Sequence, residues 1–397
     1  MKNNTLPYLF YANFVILFVG FGLFPLLPVY ALEVGATPGE VGVYLAIIYV
    51  AIAVGSMLPG WLPPRISRKR LFVAGGLIGV PGLFFLGFAS TVWQVAALTA
   101  LVWFSGGVGL SLSNVFTGVN SGRGRSGRSF SLLALSMPAG SLIGGLAVGP
   151  LVAWFGYRTM FIAISVLYAT QPLVVFLKLA DPEPATRAAK EAAVKGSAGR
   201  PGHRFGVLLL TVLFAGATVY VGRMGLSLSM KTLSFSPAAI TSTSAVAGVV
   251  AVPLLLLMGV LADRLGRGRF LAVGYLLTGA GALVLIVSIS LWQFWLAGTL
   301  LLVGRAVNDA MSSAVATDIL PAGALARGLP WIRGVNSVAG ILSFAGAGYL
   351  MEAFSAATVY VSIGLLAVSA AALVRLLSGN AVAVVPAPVL SQQPCSP

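Results

Sequence analysis

Twelve apolar runs of about 20 residues or more, separated by charged, proline or glycine breaks, leave this chain few ways to fold. Inside hydrocarbon a segment must satisfy its own backbone, which only helices and closed barrels do. Barrel strands alternate polar and apolar residues, and these runs do not, so the expected fold is an all-α integral membrane protein with 12 transmembrane helices. The first six are Pro7–Leu32, Gly39–Leu62, Leu71–Ser90, Trp93–Gly118, Ser129–Phe155 and Thr159–Leu177. The second six are Gly206–Leu228, Ala238–Leu261, Phe270–Ser288, Leu291–Thr317, Leu329–Leu350 and Ala357–Leu376. Only 8% of the 397 residues are charged and mean hydropathy is +0.98, whereas a soluble chain carries about a quarter charged residues. A separate soluble catalytic domain does not fit. The single histidine, His203, and single cysteine, Cys395, provide neither a metal site nor an internal disulfide, and no cofactor is expected.

The net charge of +15 is explained by topology. With the N-terminus inside, 19 of the 24 lysines and arginines fall in cytoplasmic segments, while Arg158 and Lys231 fall outside and Arg223, Arg305 and Arg333 fall within spans. Both termini are therefore expected in the cytoplasm of a multi-pass protein of the inner (plasma) membrane. The basic surface is assigned to anionic membrane lipid, and nucleic acid is excluded as a partner.

Shifting the chain on itself by 199 positions superposes Pro38 on Pro237, Gly60 on Gly259, Arg65, Arg68 and Arg70 on Arg264, Arg267 and Arg269, Trp93-Gln94 on Trp292-Gln293, and Gly149 on Gly348. Six is an even number of spans, so the halves are expected as parallel repeats enclosing a central path. The resulting domains are residues 1–178, a cytoplasmic linker at 179–205, a second six-helix bundle at 206–378, and a disordered cytoplasmic tail at 379–397.

The stretch GVLADRLGRGR, Gly259–Arg269, resembles the loop between the second and third helices of a half in the major facilitator superfamily. Its first-half copy, GWLPPRISRKR, has Pro64 and Ser67 where the acid and second glycine belong. The resemblance implies a gate built from Gly259, Asp263, Arg264, Gly266 and Arg267, with Asp263 reaching Arg128 and the amides around Ser129 at the start of the fifth helix. Helix five, with Gly140/Gly144 and Gly145/Gly149 four apart, resembles imperfectly the glycine-rich fifth helix of family exporters.

A charge inside the bilayer costs at least about 2.5 kcal/mol on insertion scales, so intramembrane charges are functional candidates. Arg305 and Asp309 lie four apart on one face of the tenth span. The resemblance places the first and fourth helices of each half on the central path, which assigns Arg223 and Arg305 to substrate, with Asn308, Arg333, Asn336, Tyr220, Asn114 and Asn13 as further polar candidates. Tyr44 and Gln171 are also plausible by position. Asp309 is the candidate proton carrier, with Glu33 second. Alternatively, Asp309 neutralises Arg305 or Arg333 and staples two helices.

The resemblance implies a secondary transporter moving a small organic solute by alternating access. Proton-coupled efflux of an anionic or amphiphilic compound by a monomer is the leading expectation. The alternatives are an uptake symporter or facilitator of an organic anion, a lipid flippase, and a polytopic membrane enzyme, for which no catalytic constellation is present.

Overall fold

The computed structural model describes residues 5–62, 66–120, 129, 132–181, 202–320 and 325–377, with side chains omitted at 120, 255, 256, 258–265 and 325–327. Among these residues every regular element is helical. The first group comprises α1 (Thr5–Leu23), α2 (Leu27–Glu33), α3 (Pro38–Trp61), α4 (Arg68–Leu86), α5 (Val92–Asn120) and α6 (Ser136–Lys178). The second comprises α7 (His203–Thr232), α8 (Pro237–Leu265), α9 (Arg267–Ile286), α10 (Leu291–Ile319), α11 (Leu325–Ala353) and α12 (Ala356–Leu373).

Two boundaries differ from the sequence reading. The first span is interrupted between α1 and α2, where Pro25 and Pro28 withhold amide donors. The fifth and sixth spans are two helices within the α6 range, divided by a sharp kink at Gly156 alone, whose φ = +76° carries no Cβ penalty only in glycine. Ten segments among the described residues are long and apolar enough to cross a membrane, and α6 is counted once among them. Helix α10 is not among the ten, since it carries Arg305, Asn308, Asp309 and Asp318.

Helices α3, α5, α8 and α12 begin on a serine or threonine whose hydroxyl accepts from the first turn: Thr37, Thr91, Ser236 and Ser355. In α10 the Gln293 side chain accepts from the Ser290 amide instead. Alternating chain direction brings these starts to one end of the bundle, here termed the capped end.

There the two groups touch along two seams, α3 against α11 and α6 against α8. Both are glycine-lined, letting backbones approach closely. A Cβ on Gly145 would lie 2.6 Å from the Ala245 nitrogen and 2.7 Å from the Thr241 carbonyl, and one on Gly348 would strike the Pro38 carbonyl. Polar contacts reinforce the closure. The Gly39 amide donates to Glu352 Oε1 at 2.7 Å, and Lys231 Nζ pairs with Glu33 Oε1 at 2.7 Å. At the opposite end, among the described residues, Arg267 pairs with Asp318 at 2.7 Å within one group.

Candidate functional site

Midway along the bundle, four rings from four separate segments converge: Phe24 from the α1–α2 turn, Tyr49 from α3, Tyr220 from α7 and Phe344 from α11. Their centroids are 4.9–6.5 Å apart, with Tyr49 and Tyr220 edge-on at 4.9 Å. Two rings belong to each group, so the cluster exists only while the groups are together. Helical spacing on α11 sets Gly340 one turn from Phe344, and its bare surface leaves the space that Tyr49 and Tyr220 occupy.

Two guanidinium groups adjoin these rings. Arg223 stacks 3.8 Å from the Phe24 centroid, and Arg305 lies 5.5 Å from that of Tyr220. Arg305 Nε is 3.6 Å from Asp309 Oδ2, a long pairing to a side chain that is 53% exposed. Asp309 is thus only loosely paired with Arg305, and among the described residues no carboxylate pairs with Arg223, whereas taking an ion out of water costs several kcal/mol unless it is compensated.

Both arginines border a cavity of about 160 Å³. Its remaining lining comes entirely from the first group and is largely apolar, including Ile16, Phe21, Ile52, Val102, Trp103 and Leu110. The wall is therefore divided, with hydrocarbon and rings on one side and positive charge on the other. Such a surface suits a solute with an apolar body and an anionic end. Arg223 also borders a second, smaller crevice of about 40 Å³ between α1, α6, α7, α8 and α10.

The other sequence candidates are dispersed. Asn13 is buried and does not reach the cavity, because its amide donates to Ser136 Oγ at 2.6 Å and staples α1 to α6. Asn308 is buried on the side of α10 facing Gly274, and neither of its amide atoms has a hydrogen-bond partner. Asn336 is half-buried against Gly216, whereas Asn114 and Arg333 are exposed. Tyr220 stands at the ring cluster. Tyr44 is buried and bonded to Thr99, so the tyrosine of α3 on the cavity is Tyr49. Gln171 is buried beside Gly76 without a partner for its amide. Glu33 lies at the capped end, paired with Lys231.

Of the gate residues, Gly266 precedes α9 with φ = +89° and Arg267 pairs with Asp318. Gly259 lies within α8. Arg128 and the side chains of Asp263 and Arg264 lie outside the described residues, as do the linker from residue 182 to 201 and the tail from residue 378 onward. The histidine, cysteine, aspartate and glutamate side chains described form no group able to hold a metal ion. Phe24, Tyr49, Trp103, Phe344 and Glu352 were not marked by the sequence. Nothing in a uniformly apolar helix singles out the ring that faces inward, and Glu352 reads as an ordinary residue at a helix end.

A family model described as Major Facilitator Superfamily matches residues 9–230 and 207–393. "Multidrug resistance protein MdtG" of Proteus mirabilis (strain HI4320) is 27% identical over 370 residues, covering 87% of this chain and 90% of that protein. "Multi-drug resistance efflux pump PmrA homolog" of Lactococcus lactis subsp. lactis (strain IL1403) is 27% identical over 271 residues, covering 64% of this chain and 65% of the other. Among solved structures, a variant of the nucleoside transporter NupG superposes with a TM-score of 0.79 at 15% identity, covering 95% of this chain and 100% of that one. A variant of the peptide transporter POT gives 0.73 at 15% identity, covering 94% and 93%. At such identity these two likenesses speak for the fold alone.

Proposed function

The chain belongs to the major facilitator superfamily, a family of membrane transporters of small molecules, and on that premise we propose that it exports an amphiphilic, anionic compound in exchange for protons. Residues 1–178 and 206–378 act as two six-helix halves joined by the 179–205 segment, with both termini and the 379–397 tail in the cytoplasm. The capped end then faces outward, and the conformation described here is closed outside and open inside. The 199-residue spacing supports this division, since Pro38 and Pro237, Arg68 and Arg267, and Asn120 and Ile319 are matching helix ends.

The observation that carries the reading is the divided wall of the central cavity. Its charge comes from Arg223 and Arg305 in one half and its apolar surface from the other, so a bound solute contacts both halves. Such a solute senses their relative motion, as alternating access requires. Asp309 is the proton carrier: its side chain is exposed and lies one helical turn from Arg305. When protonated it leaves Arg305 to the anionic end of the solute, and when ionised it competes for that cation. Glu33, held by Lys231 at the capped end, serves closure. The names of the multidrug relatives support the outward direction.

Purified protein in liposomes, loaded with an aromatic carboxylate and driven by an inwardly directed proton gradient, tests the proposal. Release should depend on the gradient and fall strongly in Arg305→Ala. Arg305→Lys restores charge without the planar fork, so partial rescue indicates charge recognition and no rescue indicates bidentate geometry. Release of a cationic dye that is unchanged in Arg305→Ala, with none of the carboxylate, would refute the anion reading.

A further inference from the structure

Arg223 is poorly compensated where it stands. Its guanidinium rests 3.8 Å from the Phe24 ring and 5.7 Å from that of Phe21. It is half-buried; among the described residues no carboxylate lies within 4 Å of it and none of its N–H groups donates a hydrogen bond. A desolvated cation–π contact contributes about 2 kcal/mol, against a desolvation cost of several kcal/mol, and Arg305 is near enough to add repulsion. A negative charge is therefore wanting on the side of Arg223 that the rings do not cover.

The small crevice bordering Arg223 has the lining for one. Four of its residues bear hydroxyls: Ser141 on α6, Ser227 on α7, and Thr243 and Ser244 on α8. Ser141 and Thr243 have already donated their protons, to the carbonyls of Ser244 at 2.8 Å and Ile240 at 2.7 Å. Ser227 is held only by a long 3.4 Å bond to the Arg223 carbonyl, and the Ser244 hydroxyl has no acceptor among the described residues. Two donors are thus free to turn toward a guest beside a guanidinium. The crevice, at about 40 Å³, is a quarter the size of the larger cavity, so it suits a guest much smaller than the solute.

We propose that this crevice binds a compact inorganic monoanion of chloride size, separate from the solute in the larger cavity. Arg223 and Phe21 border both spaces, so the anion lies beside the solute site and shares one of its cations. Phe21, Pro25 and Ser141 belong to the first group and the rest of its wall to the second, so the crevice is complete only while α6 and α8 are closed on each other. The anion accordingly favours the conformation described here and is released when that seam opens.

The test uses the purified full chain without organic ligand, with sodium chloride replaced by sodium gluconate at constant ionic strength, followed by thermal unfolding. Chloride and bromide should raise the midpoint saturably, by about 2 °C or more at concentrations well above the dissociation constant. The shift should vanish in Arg223→Gln and in Ser244→Val, which fills the crevice, and persist in Arg305→Gln. Identical midpoints in chloride and gluconate for the unmodified chain overturn the proposal, as does a halide shift that survives both crevice variants. If those variants fail to fold, bromide-soaked crystals decide the matter: an anomalous peak beside Arg223 is expected, and its absence refutes the site. Loss of organic-ligand binding in Arg305→Gln with an intact chloride shift keeps failure of the solute reading distinct from failure of this one.

Discussion

Adding one methyl group at Gly145 should drive the protein out of the conformation described here. The new Cβ would sit 2.6 Å from the Ala245 nitrogen and 2.7 Å from the Thr241 carbonyl, where ordinary contact begins at 3.4 Å. Both obstacles are backbone, so no side chain can rotate aside and the α6–α8 seam must widen by about 0.8 Å. Overpacking of this kind costs about 1–3 kcal/mol. That cost falls only on the state in which the seam is closed, so the equilibrium toward the outward-open state shifts by roughly 5- to 150-fold. The reporter belongs on the other seam, at Ala347, which is 2% exposed on α11. Because the chain contains one cysteine, Cys395, a Cys395→Ser background makes Ala347→Cys the single thiol. Its rate of alkylation from outside should rise with Gly145→Ala and stay unchanged with Gly334→Ala, since a Cβ at Gly334 meets nothing within 4 Å. Equal rates in the two variants, with both proteins well folded, would refute the idea that the two seams open as one gate.

Three further perturbations follow from the same geometry. Glu352→Ala removes the acceptor for the Gly39 amide across the α3–α11 seam and should also raise labelling of the Ala347→Cys reporter, whereas Glu352→Gln keeps a carbonyl oxygen there and should leave it close to the unmodified rate. Asp309→Asn should retain solute exchange across liposomes while losing accumulation driven by a pH gradient; unchanged pH-driven transport would reduce Asp309 to a structural partner of Arg305. Asp263→Asn should abolish net transport at normal expression and favour the inward-open state, as read by thiol accessibility at the two ends; full transport would remove Asp263 from the gating mechanism.

Helical class was legible in the sequence because hydrocarbon leaves the backbone no alternative: a run of about 20 apolar residues must close its own hydrogen bonds. The pairing of Arg305 with Asp309 was legible for a similarly local reason, since a spacing of four puts two side chains on one helix face whatever surrounds them. The glycine at the start of α9 and the arginine after it could be read from the loop motif alone. None of these inferences required knowing which helices touch.

Helix orientation was another matter. A helix in lipid is apolar on its buried and lipid-facing sides alike, so periodicity carries little of the inside-to-outside contrast that orients a soluble helix. The sequence therefore offered Tyr44 and Asn13 and passed over Tyr49 and Phe24. Tertiary packing turned Tyr44 to Thr99 and Asn13 to Ser136, and it brought Phe24, Tyr49, Tyr220 and Phe344 from four distant segments to a single point. It also decided that Arg223 is stacked on Phe24 and lacks a paired carboxylate among the described residues, because a charge's compensation depends on neighbours up to 200 residues away along the chain. Local chemistry determined the helical elements, and only the close approach of backbones at the glycine seams determined which side chains share a cavity.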